Sequence, residues 1–205
     1  MTEVRTCRWI AAAALVGACD AAPTERDSTA VVTLEEPRQH ADSTNRATAP
    51  EPKPADAGRY TSINPASCRL IEQNIEEGGY SRHDCAGLAG YKLEISESDL
   101  RQDIVVIAPD GARSELQLSS IVAKGAFNSL GKVAEWRGTA ANPSALIVRL
   151  NVARGAEPAR PDISNLVVAS LTKPACVVVV VPPGPDQNSR ARRIADGPLP
   201  GCMKG

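Results

Sequence analysis

From Tyr60 onward the chain is cut into short apolar or alternating segments closed by Gly, Pro, Asp or Asn turns, and this spacing constrains the fold more than any other feature. Tyr91-Lys92-Leu93-Glu94-Ile95 and Glu115-Leu116-Gln117-Leu118 alternate apolar with polar, and Ala145 to Asn151 sets Leu146, Val148 and Leu150 on one face. A period of two sends successive side chains to opposite sides of a strand, so each segment covers a core with one face. Arg69 to Gln73, Tyr80 to Cys85, Asp103 to Ala108, Val133 to Arg137, Asn165 to Leu171 and Cys176 to Val181 are the remaining strand candidates. Glu76 to Gly79, Gly87 to Gly90 and Pro109-Asp110-Gly111 are turns, and Phe127 to Leu130 reads as irregular. The hairpin rule pairs Glu115 to Leu118 with the strand before it. Cys176 to Val181 lacks polar alternation and is expected at the centre of a sheet. Asp186 is expected to cap a helix running to Asp196, with an apolar stripe of Ala191, Ile194 and Ala195 and Gly197 past its end. The expected fold is mainly β, with α+β as the variant: an antiparallel sheet, small barrel or sandwich of about seven or eight short strands with one C-terminal helix.

The N-terminal segment has a different character. Arg5 and Arg8 precede an apolar run from Trp9 to Val16, and small residues lead into Cys19. That order is a secretory signal. The run is too short for a membrane-spanning helix, which needs about 20 apolar residues. Val16-Gly17-Ala18-Cys19 resembles the lipobox of bacterial lipoproteins. The resemblance implies cleavage before Cys19 and acylation of that cysteine, hence a membrane anchor facing the periplasm in the bacterial cell envelope. Asp20 points toward the inner membrane, with the outer membrane left open. Residues 1–18 are then a signal peptide, 19–59 a lipidated N-terminus with a disordered linker, and 60–205 one globular domain. The linker mixes Pro, Ala, Thr, Ser, Asp and Glu, and only Val31-Val32-Thr33-Leu34 is apolar, too little to offset the entropy of ordering.

The charge balance narrows the partners. The chain carries 23 basic and 24 acidic residues, a balance that argues against a nucleic-acid binder, which needs a basic patch to displace counterions. Aromatic residues are few: Phe 1, Trp 2 and Tyr 3. Of six cysteines, Cys7 leaves with the signal and Cys19 takes the lipid. The even remainder, Cys68, Cys85, Cys176 and Cys202, reads as disulfides. Proximity in sequence favours Cys68–Cys85 and Cys176–Cys202 among the three possible pairings. His83 and Cys85 lack the paired spacing of a zinc site, so no metal and no cofactor are expected.

Catalytic patterns are thin. His83 is the one histidine of the expected domain, because His40 lies in the linker; it reads as an exposed strand residue, and no Gly-x-Ser-x-Gly elbow is present. Glu76-Glu77 and Glu94-Glu97-Asp99 fall at turns or strand ends. Arg190, Arg192 and Arg193 read as a solvated helix face. Trp136 is expected in the core, which sends Glu135 and Arg137 to the opposite side of their strand to pair or meet a partner. Asn128, Glu135 and Arg137 are therefore the candidate binding surface.

Gly78-Gly79-Tyr80-Ser81 through Cys85, Ser96 to Leu100, and Phe127-Asn128-Ser129-Leu130-Gly131 to Glu135-Trp136-Arg137 also make the domain similar to alphaproteobacterial exported proteins of uncharacterised function. That resemblance implies a single exported domain and brings no catalytic residues. The functional expectation is a non-catalytic binding or structural module, inhibition of an envelope enzyme being one form of it. Its partners are the membrane, through the lipid, and an envelope protein or cell-wall component. The alternative is an envelope hydrolase using Glu76, Glu77 or His83.

Overall fold

The computed structural model describes residues 59–205 except Glu77 and residues 156–159. The expected signal peptide, the lipidation site Cys19 and the linker up to Gly58 lie outside the described residues.

Ten strands are described: β1 (Arg59–Ser62), β2 (Arg69–Asn74), β3 (Tyr80–Ala86), β4 (Lys92–Ser98), β5 (Arg101–Ile107), β6 (Arg113–Glu115), β7 (Asn128–Gly138), β8 (Pro143–Val152), β9 (Ile163–Ser170) and β10 (Cys176–Val181). Two α-helices accompany them, the single turn α1 (Leu118–Ile121) and the longer α2 (Gln187–Asp196), with a 3-10 turn at Pro65–Ser67. The strands form two antiparallel sheets of five, an outer sheet ordered β2-β3-β4-β5-β6 and a helix-side sheet ordered β1-β7-β8-β9-β10. Each sheet keeps two edges, so there is no closed barrel.

The period-two pattern explains the layering. Leu93, Ile95, Ile104 and Val106 of the outer sheet pack with Trp136, Leu146, Val148, Leu150, Val167 and Val177 of the other in one buried core. The alternate residues of the helix-side sheet, Ala145, Ile147, Leu166, Val168, Val178 and Val181, are also buried, beneath Ala191 and Ala195 of α2. Among the described residues, one sheet is thus covered on both faces and the other on one.

That asymmetry corrects the placement of the valine run. β10 is an edge strand, not the centre of a sheet. It is apolar throughout because the core covers one face and α2 covers the other, which requires no neighbour on both sides. The C-terminal segment returns along its free edge, where the Met203 N–H donates to the Val177 carbonyl at 2.8 Å.

Three other expectations are adjusted. β6 ends at Glu115, and Leu118 opens α1 instead of continuing the strand. The Asp103 carboxylate on β5 accepts from the Leu118 and Ser119 N–H groups at 2.8 and 3.1 Å, a cap supplied from a distant point in the sequence. Asn128 to Leu130 are the ordered start of β7, whose register against β8 shifts between Leu130 and Ala134. Asp186 precedes α2 in a left-handed conformation (φ 59°), and its side chain makes no capping bond.

The disulfides join Cys68 to Cys85 and Cys176 to Cys202. Such bonds persist in an oxidising, extracytoplasmic compartment. Among the described residues no helix is long and apolar enough to cross a membrane.

Candidate binding surface

β7 alternates strictly at its C-terminal end. Ala134 and Trp136 enter the core between the sheets, and the Trp136 indole N–H donates to the Thr61 hydroxyl at 2.8 Å. Glu135 and Arg137 therefore face α2. Arg137 is 6 % exposed. Its Nε and Nη2 donate to the two Asp196 oxygens at 2.8 and 2.6 Å, and its Nη1 donates to Glu135 at 3.1 Å. Arg192 donates from Nε to the same Glu135 oxygen at 2.8 Å and from Nη2 to the Tyr60 hydroxyl at 2.8 Å. The Asp196 hydrogen bond raises the Arg137 guanidinium above its usual range, and Glu135 does the same for Arg192. Two acids and two bases cancel, and the network clamps α2 and β1 onto β7. Arg192, read as solvated, is drawn into this clamp. Arg190 donates to the Pro182 carbonyl, and Arg193 is exposed.

Asn128 lies at the opposite end of β7 and is equally buried. Its Oδ1 accepts from the Gln102 N–H at 3.1 Å, and its Nδ2 donates to Ser119 Oγ at 3.2 Å. The residues expected at a recognition surface are thus split: Glu135 and Arg137 hold α2, and Asn128 braces a loop cluster.

Large apolar side chains reach solvent at that loop cluster, as do Tyr60, Leu70, Ile71, Val133 and Met203 elsewhere. Ile75, Leu100 and Phe127 are 84, 62 and 46 % exposed. They come from the β2–β3 turn, the β4–β5 turn and the α1–β7 loop, which meet at one end of the outer sheet. The Asp99 N–H donates to the Gly79 carbonyl at 3.4 Å, and the Asn128 N–H to the Leu100 carbonyl at 3.1 Å. The β4–β5 hairpin turns on Asp99 and Leu100, both left-handed at φ 47° and 58°, a conformation that favours Asn-Gly. The Arg101 guanidinium lies 4.8 Å from the centre of the Phe127 ring, and its Nε donates to the Gly125 carbonyl at 2.9 Å. Gln102 fixes the rest, donating to Glu97 Oε2 and accepting from the Leu130 N–H, both at 2.6 Å.

Beside these side chains runs a groove of about 240 Å³ walled by Leu100, Phe127, Gln102 and Asn128, with Glu97 and Asp162 as its charged members. Asp162 has no hydrogen-bond or ion-pair partner among the described residues. Neither Leu100 nor Phe127 stood out in the sequence. The one available signal was a two-residue hairpin turn with no glycine.

Neither a family model, a curated protein nor a solved structure matches this chain.

The expected catalytic residues are scattered. Glu76 is exposed in the β2–β3 turn, and Glu77 lies outside the described residues. His83 is half-buried on the core-facing side of β3, opposite Leu70 and Ile95, not exposed. Glu94 is 6 % exposed on the other face of the outer sheet, between Arg113 at 2.8 Å and Arg82 at 3.9 Å. Asp84 on that face bonds Arg69 at 2.8 Å and approaches Lys92 at 3.5 Å. The Arg69 hydrogen bond holds its carboxyl below the ordinary range against the opposing effect of burial, with Lys92 adding to the shift. The charges of this face are engaged with one another, Arg82 reaching Glu72 as well at 3.4 Å.

Proposed function

We propose that the protein is a non-catalytic binding module of the bacterial envelope, anchored through a lipid on Cys19 and facing the periplasm. Its partner is an envelope protein, and the contact is made by the Leu100–Phe127 end of the outer sheet. The observation that carries this reading is the exposure of two large apolar side chains on loops immobilised by hydrogen bonds. Rigid apolar and aromatic anchors are what protein interfaces use, because little side-chain entropy is lost on contact. Steric strain at an exposed bulky residue such as Leu100 is also typical of functional sites. Inhibition of an envelope enzyme is one form such binding takes. The hydrolase alternative draws less support, because Glu76 sits in a turn while His83 pairs in mid-sheet with Leu70 and Ile95.

Photo-crosslinking in the native host tests the reading. A photoreactive residue at 100 or 127 is expected to give one discrete protein adduct, and the same residue at Glu72 or Lys92 to give none. Adducts only at the control positions, or turnover of an envelope substrate lost on His83→Ala, would count against it. Mass spectrometry of the native N-terminus tests the anchor: the expected result is an acylated Cys19, and an unprocessed Met1 would refute it.

A further inference from the structure

The geometry points to the groove beside Phe127 as a receptor for one long cationic side chain, an arginine or lysine of the partner protein. This rests on the binding reading and names the chemistry of the contact.

The walls and charges of the groove differ in kind. Leu100 and Phe127 offer apolar surface, and the charged side chains that line it are Glu97 and Asp162. Lysine and arginine carry an apolar stem and a charged head, which is the matching distribution. Glu97 is held in place because Oε2 accepts from Gln102 at 2.6 Å. Its other oxygen makes no hydrogen bond within the described residues, and Asp162 has no partner among them. The two carboxylates thus keep acceptor capacity for a donor from outside. Arg101, the cation that follows the β4–β5 turn, is engaged: it bonds Asp99 and Gly125 and covers one face of Phe127. The remaining ring surface and the Leu100 side chain are left to the stem of an incoming residue. A volume of about 240 Å³ suits one side chain and is below the usual size of a small-molecule pocket, roughly 300–1,000 Å³. An anionic bilayer is a poor alternative occupant, because both lining charges would face like charge. A two-fold contact with a second copy fits poorly too, since it would bring the same two carboxylates together.

Titration of the full chain with the N-acetylated, C-amidated tripeptide Ala-Arg-Ala, followed by NMR, tests this. The lysine and citrulline counterparts serve as comparisons. The expected result is weak saturable binding of the arginine and lysine peptides, with shifts at Gln102, Phe127 and Asn128. Citrulline, which keeps the shape and loses the charge, should bind several-fold more weakly, and Asp162→Asn should reduce arginine binding roughly fivefold. Asp162 is exposed and unpartnered, so its replacement leaves the fold intact. Equal binding of citrulline and arginine, shifts confined to another surface, or an unchanged response in Asp162→Asn would overturn the inference. Crosslinking at positions 100 and 127 without cationic-peptide binding would remove this inference and leave the binding module standing. Loss of both would remove the two together.

Discussion

Arg137 and Asp196 meet in a two-bond ion pair, Nε to Oδ1 at 2.8 Å and Nη2 to Oδ2 at 2.6 Å, that ties β7 to the last turn of α2. The guanidinium is almost fully enclosed, and removing it takes the partner from Asp196 and one of two arginines from Glu135, which keeps Arg192. Arg137→Ala is expected to cost about 2–3 kcal/mol in urea unfolding, less than stranding a fully buried charge, because Asp196 is partly exposed and Glu135 keeps Arg192. Arg137→Lys should recover only part of this, because an ammonium keeps the charge and loses the two-pronged geometry.

Gly87 is required by Trp136. A methyl group there would lie 2.6 Å from the Tyr91 carbonyl oxygen and 2.8 Å from the indole ring, and the Gly87 N–H also donates to that carbonyl at 3.0 Å. Gly87→Ala is expected to destabilise by about 1–3 kcal/mol and to change the near-UV circular dichroism of Trp136. Gly111→Ala offers a contrast, because its Cβ meets nothing within 4 Å and its φ of 87° leaves backbone strain as the sole penalty.

Leu100 trades stability for presentation. Its left-handed backbone costs about 1–2 kcal/mol for a side-chain-bearing residue, and its exposed side chain returns little burial. Leu100→Gly should raise stability by a net of about 0.5–1 kcal/mol once the flexibility of glycine in the unfolded chain is counted. The same substitution should abolish crosslinking at position 127. Calorimetry and crosslinking on one variant read both effects.

Acid should weaken the outer sheet. The Asp84 carboxyl is held below its ordinary range by Arg69 and Lys92, and that of Asp110 by Lys173 and the Ala112 N–H. A carboxyl with a depressed folded pKa contributes stability above its unfolded value, about 3.9. That contribution is lost as pH falls through the folded pKa. The urea midpoint should therefore stay flat above about pH 5 and decline below about pH 4. In Asp84→Asn the decline should be shallower, while stability at neutral pH is lower.

The two disulfides should differ in their effect. Their sequence separations are 17 and 26 residues, and the chain-entropy model gives each about 3 kcal/mol. Cys85 is 1 % exposed and belongs to the main core, whereas Cys202 sits in an exposed terminal segment. The double replacement Cys68→Ala/Cys85→Ala is expected to lower the melting temperature more than Cys176→Ala/Cys202→Ala, as differential scanning calorimetry would read.

The sequence alone determined the strand periods, most turn positions and the stripe of α2, and it favoured the two local cysteine pairings that the structure shows. These are properties of neighbouring residues: alternation at Leu146, Val148 and Leu150 needs no distant contact to be legible. Tertiary structure decided which strands are edges and which polar groups are enclosed. Val177 to Val181 look the same in sequence at the centre or at the edge, because burial on two faces can come from a sheet and a helix as well as from neighbouring strands. Alternation alone puts Glu135 and Arg137 on one face, but the partners that remove them from solvent, Asp196 and Arg192, lie on α2, far along the chain. Leu100 and Phe127 were invisible for the converse reason. Exposure of an apolar side chain is set by what fails to cover it, and that depends on how three separate turns converge.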